Sequence, residues 1–541
     1  MDDSARNKTL IWKIAVIFLL ALPNVVYLFQ NPDKKAFTAL LLSLMLLTGI
    51  VRVTYDRPWI LALVSLLLGL ISYVDIIHLL DYGAHLSVGG IGAIFDTDPK
   101  EASEFFLAVS PTTLPLLSIF AVATALLVWR YPGRQQHPTS RKQQFATLLL
   151  IVLPIIDFSG KGSSWHSAPM TTIKAMFDYR AESARIEELL AQHEGHHFDA
   201  TRRMSSPGPE HYVLILGESV RRDHLEQYGY ERKTSPRLAA RDDILIFTNV
   251  VSPANQTRRA VKIMLSPATA LDLSDYYRKG TLIGLAKEAG FHTAWLSNQG
   301  RYGEHDTEVS SIGREADVSV FTNTDWITHS LDGQLIAPFQ HTTRNIDHDQ
   351  LTVVHLQGSH GSYFKRYPPD FDIFHDLPPK LPATDQDLAN AINAYDNSLR
   401  YTDHVVAELI EALDTANAPG CAIYTPDHGE VLGEENRRTT HGFPTVKRAE
   451  AEIPFFIWCS KSFRQAHTAT WARLQANRYL PFSTEHLFDL LADLMSIQYR
   501  GENPHTSIAN AAFTPPKTRF LLGTNGKPTS YESFAAAGTD R

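Results

Sequence analysis

Four short runs rich in β-branched and aromatic residues break off abruptly into side chains able to do chemistry. Tyr212-Val-Leu-Ile-Leu-Gly gives way to Glu218-Ser219, and Leu351-Thr-Val-Val-His-Leu leads to Gly358-Ser359-His360-Gly361. Cys421-Ala-Ile-Tyr-Thr-Pro ends in Asp427-His428-Gly429-Glu430, and His292-Thr-Ala-Trp-Leu ends in Ser297-Asn298-Gln299. Two carboxylates and a histidine suit Zn²⁺ or another divalent ion. The neighbours Asp427 and His428 can both reach one ion only where the backbone leaves its strand, and Gly429 is expected to permit that turn. A metal site of this sort needs something to activate. Ser252-Pro-Ala-Asn255-Gln256-Thr257-Arg258-Arg259 precedes an apolar helical run over 260–265, which puts Thr257 near a helix N-terminus. Backbone N–H groups favour an anion there, and metal coordination can turn a threonine hydroxyl into a usable nucleophile. Each residue alone has an ordinary reading: Glu218 as a surface or capping residue, Thr257 as the N-cap of its helix. Their joint placement carries the argument.

The elements that must position these side chains alternate in type. Helical stretches such as 284–289 and 389–413 lie between the strands, and 452–458 reads as a further strand. Alternation of this kind implies an α/β fold with a mainly parallel central sheet. Ligands of such sheets bind beyond the carboxyl ends of the strands. Glu218, His360, Asp427 and His428 are therefore expected to converge in one crevice. His193-Glu-Gly-His-His197 matches H-E-x-x-H, but Gly195 and the polar surroundings argue for an exposed histidine-rich segment over a metalloprotease helix.

The chain has 541 residues, enough for three or four domain-sized units, and a formal net charge of −8. That charge speaks against a nucleic-acid partner. With 44% apolar residues, wholesale disorder is excluded, and two cysteines rule out a Cys-rich zinc module. Apolar stretches at 14–29, 39–51, 59–74, 114–129 and 145–156 predict a five-helix transmembrane domain over 1–157. Residues 158–210 read as a polar connector and 211–541 as the catalytic domain. Eight lysines and arginines in one set of loops face three in the other, which puts the N-terminus in the cytoplasm and everything after 156 outside the inner membrane. Cys421 and Cys459 could pair there. The acidic loop over 75–110 is either a solvated surface or a holder of lipid headgroups at the membrane.

Gly217-Glu218-Ser-Val-Arg221-Arg-Asp223-His224 with Tyr228-Gly-Tyr230-Glu-Arg232 resembles the opening motif of the membrane-bound phosphoethanolamine transferases, in the alkaline phosphatase/sulfatase superfamily. Gly358-Ser-His360-Gly-Ser-Tyr-Phe-Lys365-Arg366-Tyr-Pro, Asp427-His428-Gly-Glu430 and His441-Gly-Phe-Pro444 resemble its later motifs, and the likeness covers nearly the whole chain. The resemblance implies an alkaline phosphatase/sulfatase-like catalytic domain in the periplasm of a bacterial cell. It implies Glu218, Thr257, Asp427 and His428 as the shell of one or two zinc ions, with Thr257 carrying the covalent intermediate. His360 and His441 would stand near the transferred phosphate, with Glu430 as a supporting carboxylate. Thr97, Glu101 and Asn298 would contact substrate, although Ala93 stands where the family often has asparagine. The implied donor is phosphatidylethanolamine in the bilayer, and the acceptor an envelope glycan. At most one disulfide, and the stretch from Trp295 to Thr307, favour a periplasmic glucan or lipopolysaccharide core over lipid A. Rivals within the superfamily are a phosphoglycerol transferase, which shares the threonine, and a sulfatase, which would need a cysteine or serine converted to formylglycine.

Overall fold

The computed structural model describes residues 3–96 and 140–537, apart from 161, 163–165, 194–195, 204–207, 301–307, 324–329, 345–346, 380, 382–384, 417 and 435–438, with isolated residues between 115 and 123. The chain forms two compact units whose boundary falls between Ser183 and Ala184.

The first unit is helical. Lys34–Thr54, Trp59–Tyr82 and Arg141–Ser159 are long and apolar enough to cross a membrane. Thr9–Leu20 and Leu22–Gln30 make a fourth crossing if the pair counts as one span bent by 51°. The bend falls where Pro23 opens the second helix, since proline lacks the N–H that would continue the first. Asp33 caps Lys34–Thr54 by accepting from Ala36 N at 2.7 Å, and Ser140 and Gln143 form a capping box for Arg141–Ser159. The expected span over 114–129 falls almost entirely outside the described residues; among the described residues three of the five expected crossings have a counterpart, and a fourth does where the bent pair counts as one span.

The second unit is built on a seven-stranded sheet. Its strands are β1 (His211–Gly217), β2 (Ile244–Phe247), β3 (His292–Gly300), β4 (Val318–Asn323), β5 (Gln350–His355), β6 (Gly420–Pro426) and β7 (Phe455–Cys459), in spatial order β2-β7-β6-β1-β5-β3-β4. Among the described residues of this sheet, β7 alone runs against the others. The sheet is buried on both faces, which is why its strands read as unbroken apolar runs. Tyr212, Leu214 and Leu216 point into one core with Leu351, Val353 and Ile423. Val213 and Ile215 point into the other, against Tyr395, Leu399, Val406 and Leu413 of the helix Gln386–Thr415. Spacings of four and seven put those helical residues on one face. Cys421 and Cys459 sit directly opposite each other in the β6–β7 pairing and form a disulfide. The helix Met170–His193 ends at the first residue of the H-E-x-x-H stretch, and His196 and His197 are irregular, so the described residues give no zincin helix.

Candidate active site

The four central strands β6, β1, β5 and β3 are immediate neighbours, and each delivers residues at its carboxyl end. Gly217 pairs with Pro426 in register, so Glu218 and Asp427, each one residue further on, emerge side by side. Among the described residues Glu218, Asp427 and His428 form a buried group whose ligand atoms all lie within 4.8 Å of one another. His428 Nε2 is 3.2 Å from Asp427 Oδ2 and 3.6 Å from Glu218 Oε1. Strand separation alone explains the approach, because neighbouring strands lie about 4.8 Å apart.

The local backbone then aims each ligand. Asp427 Oδ1 accepts from the amides of His428 at 2.8 Å and Ser219 at 3.1 Å, which turns Oδ2 into the site. His428 Nδ1 donates to Gly429 O at 2.8 Å, so the lone pair belongs to Nε2. Ser219 holds a left-handed φ of 58° and donates its hydroxyl to Glu218 Oε1 at 2.8 Å. The Tyr395 hydroxyl supports that turn, donating to Ser219 O and accepting from Arg221 N. Gly429 acts differently from the expectation. Its φ is not left-handed; a Cβ there would stand 2.1 Å from Ala449 O, so glycine is required for close backbone approach.

Thr257 is the first residue of the helix Thr257–Met264, and Gln256 occupies the cap position. Its hydroxyl donates to Glu218 Oε2 at 3.1 Å rather than capping the helix. Gln299, at the end of β3, donates to the same Oε2 at 3.4 Å and to Leu356 O at 3.0 Å. The strand-end pattern contained Gln299, but its neighbour Asn298 was the residue expected to bind substrate. Asn298 is fully buried, donates to Ser330 O and Asp332, and accepts from Thr322, so its amide is engaged within the scaffold. Asp332 in turn holds the amides of Gln357 and Gly358, the turn that leads to His360.

A row of imidazoles lines the crevice: the His441 ring is 4.2 Å from that of His428 and 5.8 Å from that of His360, centroid to centroid. Glu430 accepts from His441 Nδ1 at 2.9 Å. Burial opposes the charge on His441, but Glu430, with Glu218 and Asp427 behind it, pushes its pKa up to about 9. Burial, with Arg366 and the other two imidazoles, holds His360 well below the ordinary histidine value. Burial and the charge of Asp427 raise Glu218 well above the carboxylate range. A cation would relieve that repulsion. Among the described residues, Asp427 Oδ2 and His428 Nε2 are buried without a hydrogen-bond partner, as expected of atoms that serve as ligands. Carboxylate, carboxylate and imidazole, with a hydroxyl alongside, fit zinc.

Not every motif residue reaches the crevice. Asp396 of the helix Gln386–Thr415 accepts from His224, Tyr230 and Arg232, each at 2.8 Å, and Arg221 is paired with Asp223 and Glu434. Asp396 fastens the loop after β1 to the helix, and Arg221 ties the same loop to Glu434 beyond β6. Thr97 and Glu101 lie outside the described residues.

Residues 210–497 match the sulfatase family. The chain belongs to that family. This sulfatase-family protein is 27% identical over 485 residues to phosphoethanolamine transferase EptC of Escherichia coli K12, covering 84% of this chain and 83% of the relative. It is 27% identical over 512 residues to phosphoethanolamine transferase CptA of Salmonella typhimurium, covering 89% and 86%. The periplasmic domain of the Escherichia coli EptC protein, solved as a complex with zinc, superposes with a TM-score of 0.57 at 27% identity over 62% of this chain and 95% of that one. The integral membrane transferase EptA of Neisseria meningitidis has the same fold, with a TM-score of 0.73 at 20% identity over 93% of this chain and 99% of the other. The resemblance to membrane-bound phosphoethanolamine transferases and the mainly parallel sheet are thus borne out.

Proposed function

We propose that the protein transfers phosphoethanolamine from phosphatidylethanolamine to an envelope glycan, working as an inner-membrane enzyme with its catalytic unit, residues 211–541, in the periplasm. The observation that carries the reading is the Thr257 hydroxyl held on Glu218 beside the unpartnered ligand atoms of Asp427 and His428. The names of the full-length relatives supply the transferred group. Glu218, Thr257, Asp427 and His428 would hold zinc, which lends Lewis acidity to lower the hydroxyl pKa and offset phosphate charge.

In the first step the Thr257 hydroxyl gives up its proton to Glu218, the Oγ–phosphorus bond forms, and the bond to the diacylglycerol oxygen breaks. That oxygen leaves with a proton from His441, which Glu430 keeps charged. In the second step a sugar hydroxyl loses its proton to His441, which regains the charge it gave up, the sugar oxygen bonds to phosphorus, the Oγ–phosphorus bond breaks, and Thr257 takes back its proton from Glu218. Positioning and charge stabilisation are the main tasks of the protein in such a displacement. A single disulfide supports a periplasmic glucan or core sugar as acceptor ahead of lipid A.

The test is transfer from headgroup-labelled phosphatidylethanolamine to separated envelope fractions. Label should enter a glycan fraction with the wild type and fall at least about 10³-fold with Thr257→Ala. Unchanged transfer by that variant would reject the mechanism.

A further inference from the structure

Glu450 lies in the short helix Arg448–Ala451 and is fully buried, yet it touches none of the reacting groups. It reaches three separate pieces of the site. Its main-chain carbonyl accepts from Gly429 N at 2.8 Å, immediately after Asp427-His428. Its Oε1 accepts from Gly442 N at 2.7 Å and Phe443 N at 3.1 Å, immediately after His441. The same oxygen accepts from Asn255 Nδ2 at 2.9 Å, two residues before Thr257. Asn255 Nδ2 also donates to Phe443 O at 2.9 Å, so the nucleophile loop and the His441 loop are joined twice. Oε2 closes the set by accepting from Lys447 N at 2.6 Å.

Four N–H donors around one buried carboxylate are more than packing requires. A buried charge is costly unless hydrogen-bonded, and an apolar side chain of equal volume would fill the space without that demand. What an apolar residue could not do is hold the nucleophile loop and the His441 loop together on the residue whose main-chain carbonyl meets Gly429. The nucleophile loop arrives from 195 residues away in the chain, whereas the His441 loop lies 8 residues from Glu450. A carboxylate accepts in several directions at once, which makes it a fitting junction.

We infer that Glu450 is a positioning residue for the transfer: it sets Thr257 and His441 in register with the Asp427-His428 turn. The inference rests on the reading of Thr257 and His441 under Proposed function. Outer partners of this kind change metal affinity by about 10–100-fold, and misplacement by about 1 Å costs about 10²-fold in rate.

The experiment compares wild type, Glu450→Gln, Glu450→Ala and Asn255→Ala as full-length protein in detergent. Zinc affinity is read by chelator competition and transfer is read as kcat and KM. Glu450→Ala should bind zinc at least about tenfold more weakly and lose about 10²-fold in kcat, with KM for the lipid donor within about twofold. Glu450→Gln keeps the oxygen that serves three donors and should stay within about threefold of wild type on both measures. Asn255→Ala should lower kcat about tenfold and serves as the deciding variant should Glu450→Ala lose its thermal transition. Equal zinc affinity and equal kcat in the alanine variants would overturn the inference. A wild type that binds zinc but moves no phosphoethanolamine would sink the functional reading, and the zinc arm would still decide the part played by Glu450.

Discussion

Thr257 Oγ1 donates to Glu218 Oε2 across 3.1 Å although 39 residues separate them in the chain. A hydroxyl held on a carboxylate is placed to be deprotonated, and the proposed chemistry calls on no second hydroxyl of the protein. Incubation with phosphatidylethanolamine should leave a phosphoethanolamine adduct on Thr257, seen by mass spectrometry of the peptide. Thr257→Ala should show none. Thr257→Ser keeps the hydroxyl and should retain the adduct, with turnover down about tenfold from lost side-chain preorganisation. An adduct on another residue would redirect the mechanism.

Asp427 and His428 present their unpartnered atoms to the same point as Glu218. Removing either by Asp427→Ala or His428→Ala should lower zinc content, measured by elemental analysis, from near one equivalent toward zero, and lower transfer in parallel. Stripping the wild type with a chelator should do the same, and adding zinc back should restore it. Full transfer by a zinc-free preparation is the result that would count against the site.

Protonation of His441 should be visible in stability. Its folded pKa of about 9 exceeds the ordinary 6.5, so the proton is held more tightly in the native state. The resulting stabilisation is fully present below pH 6.5 and is lost as pH rises through about 9, amounting at most to something on the order of 3 kcal/mol. Thermal unfolding of chelator-treated protein should therefore fall across that window. Glu430→Gln removes the main group that raises the pKa and should flatten the slope. A slope unchanged by Glu430→Gln would mean another group titrates.

Asp396 gathers His224, Tyr230 and Arg232 with no exposure of its own. Asp396→Ala would leave the buried Arg232 guanidinium with only the exposed Asp376 as a charge partner, at a cost of up to about 3 kcal/mol. Urea unfolding should show that loss, while the protein that remains folded should still bind zinc. Loss of zinc without loss of stability would instead place this cluster in the site.

Apolar runs that end in Glu218, His360 and Asp427-His428 were legible as strands because a doubly covered sheet needs continuous apolar sequence. From that pattern alone the mainly parallel sheet, the shared crevice and the position of Thr257 at a helix start could be drawn. The membrane stretches announced themselves by hydropathy in the same way. Sequence likeness to known motifs added His441 and Glu430 to the site. What only the tertiary structure decided concerns contacts between loops. Asn298 and Gln299 are adjacent and chemically alike, yet one amide is used inside the scaffold and the other reaches Glu218. Gly429 reads as a turn residue but serves close approach to Ala449 O. Glu450 carries no motif signal, because its importance lies in which amides come to surround it, that of Asn255 from 195 residues away. Alternation and composition are local properties of a chain, whereas hydrogen-bond partners across a crevice depend on where separate loops come to rest.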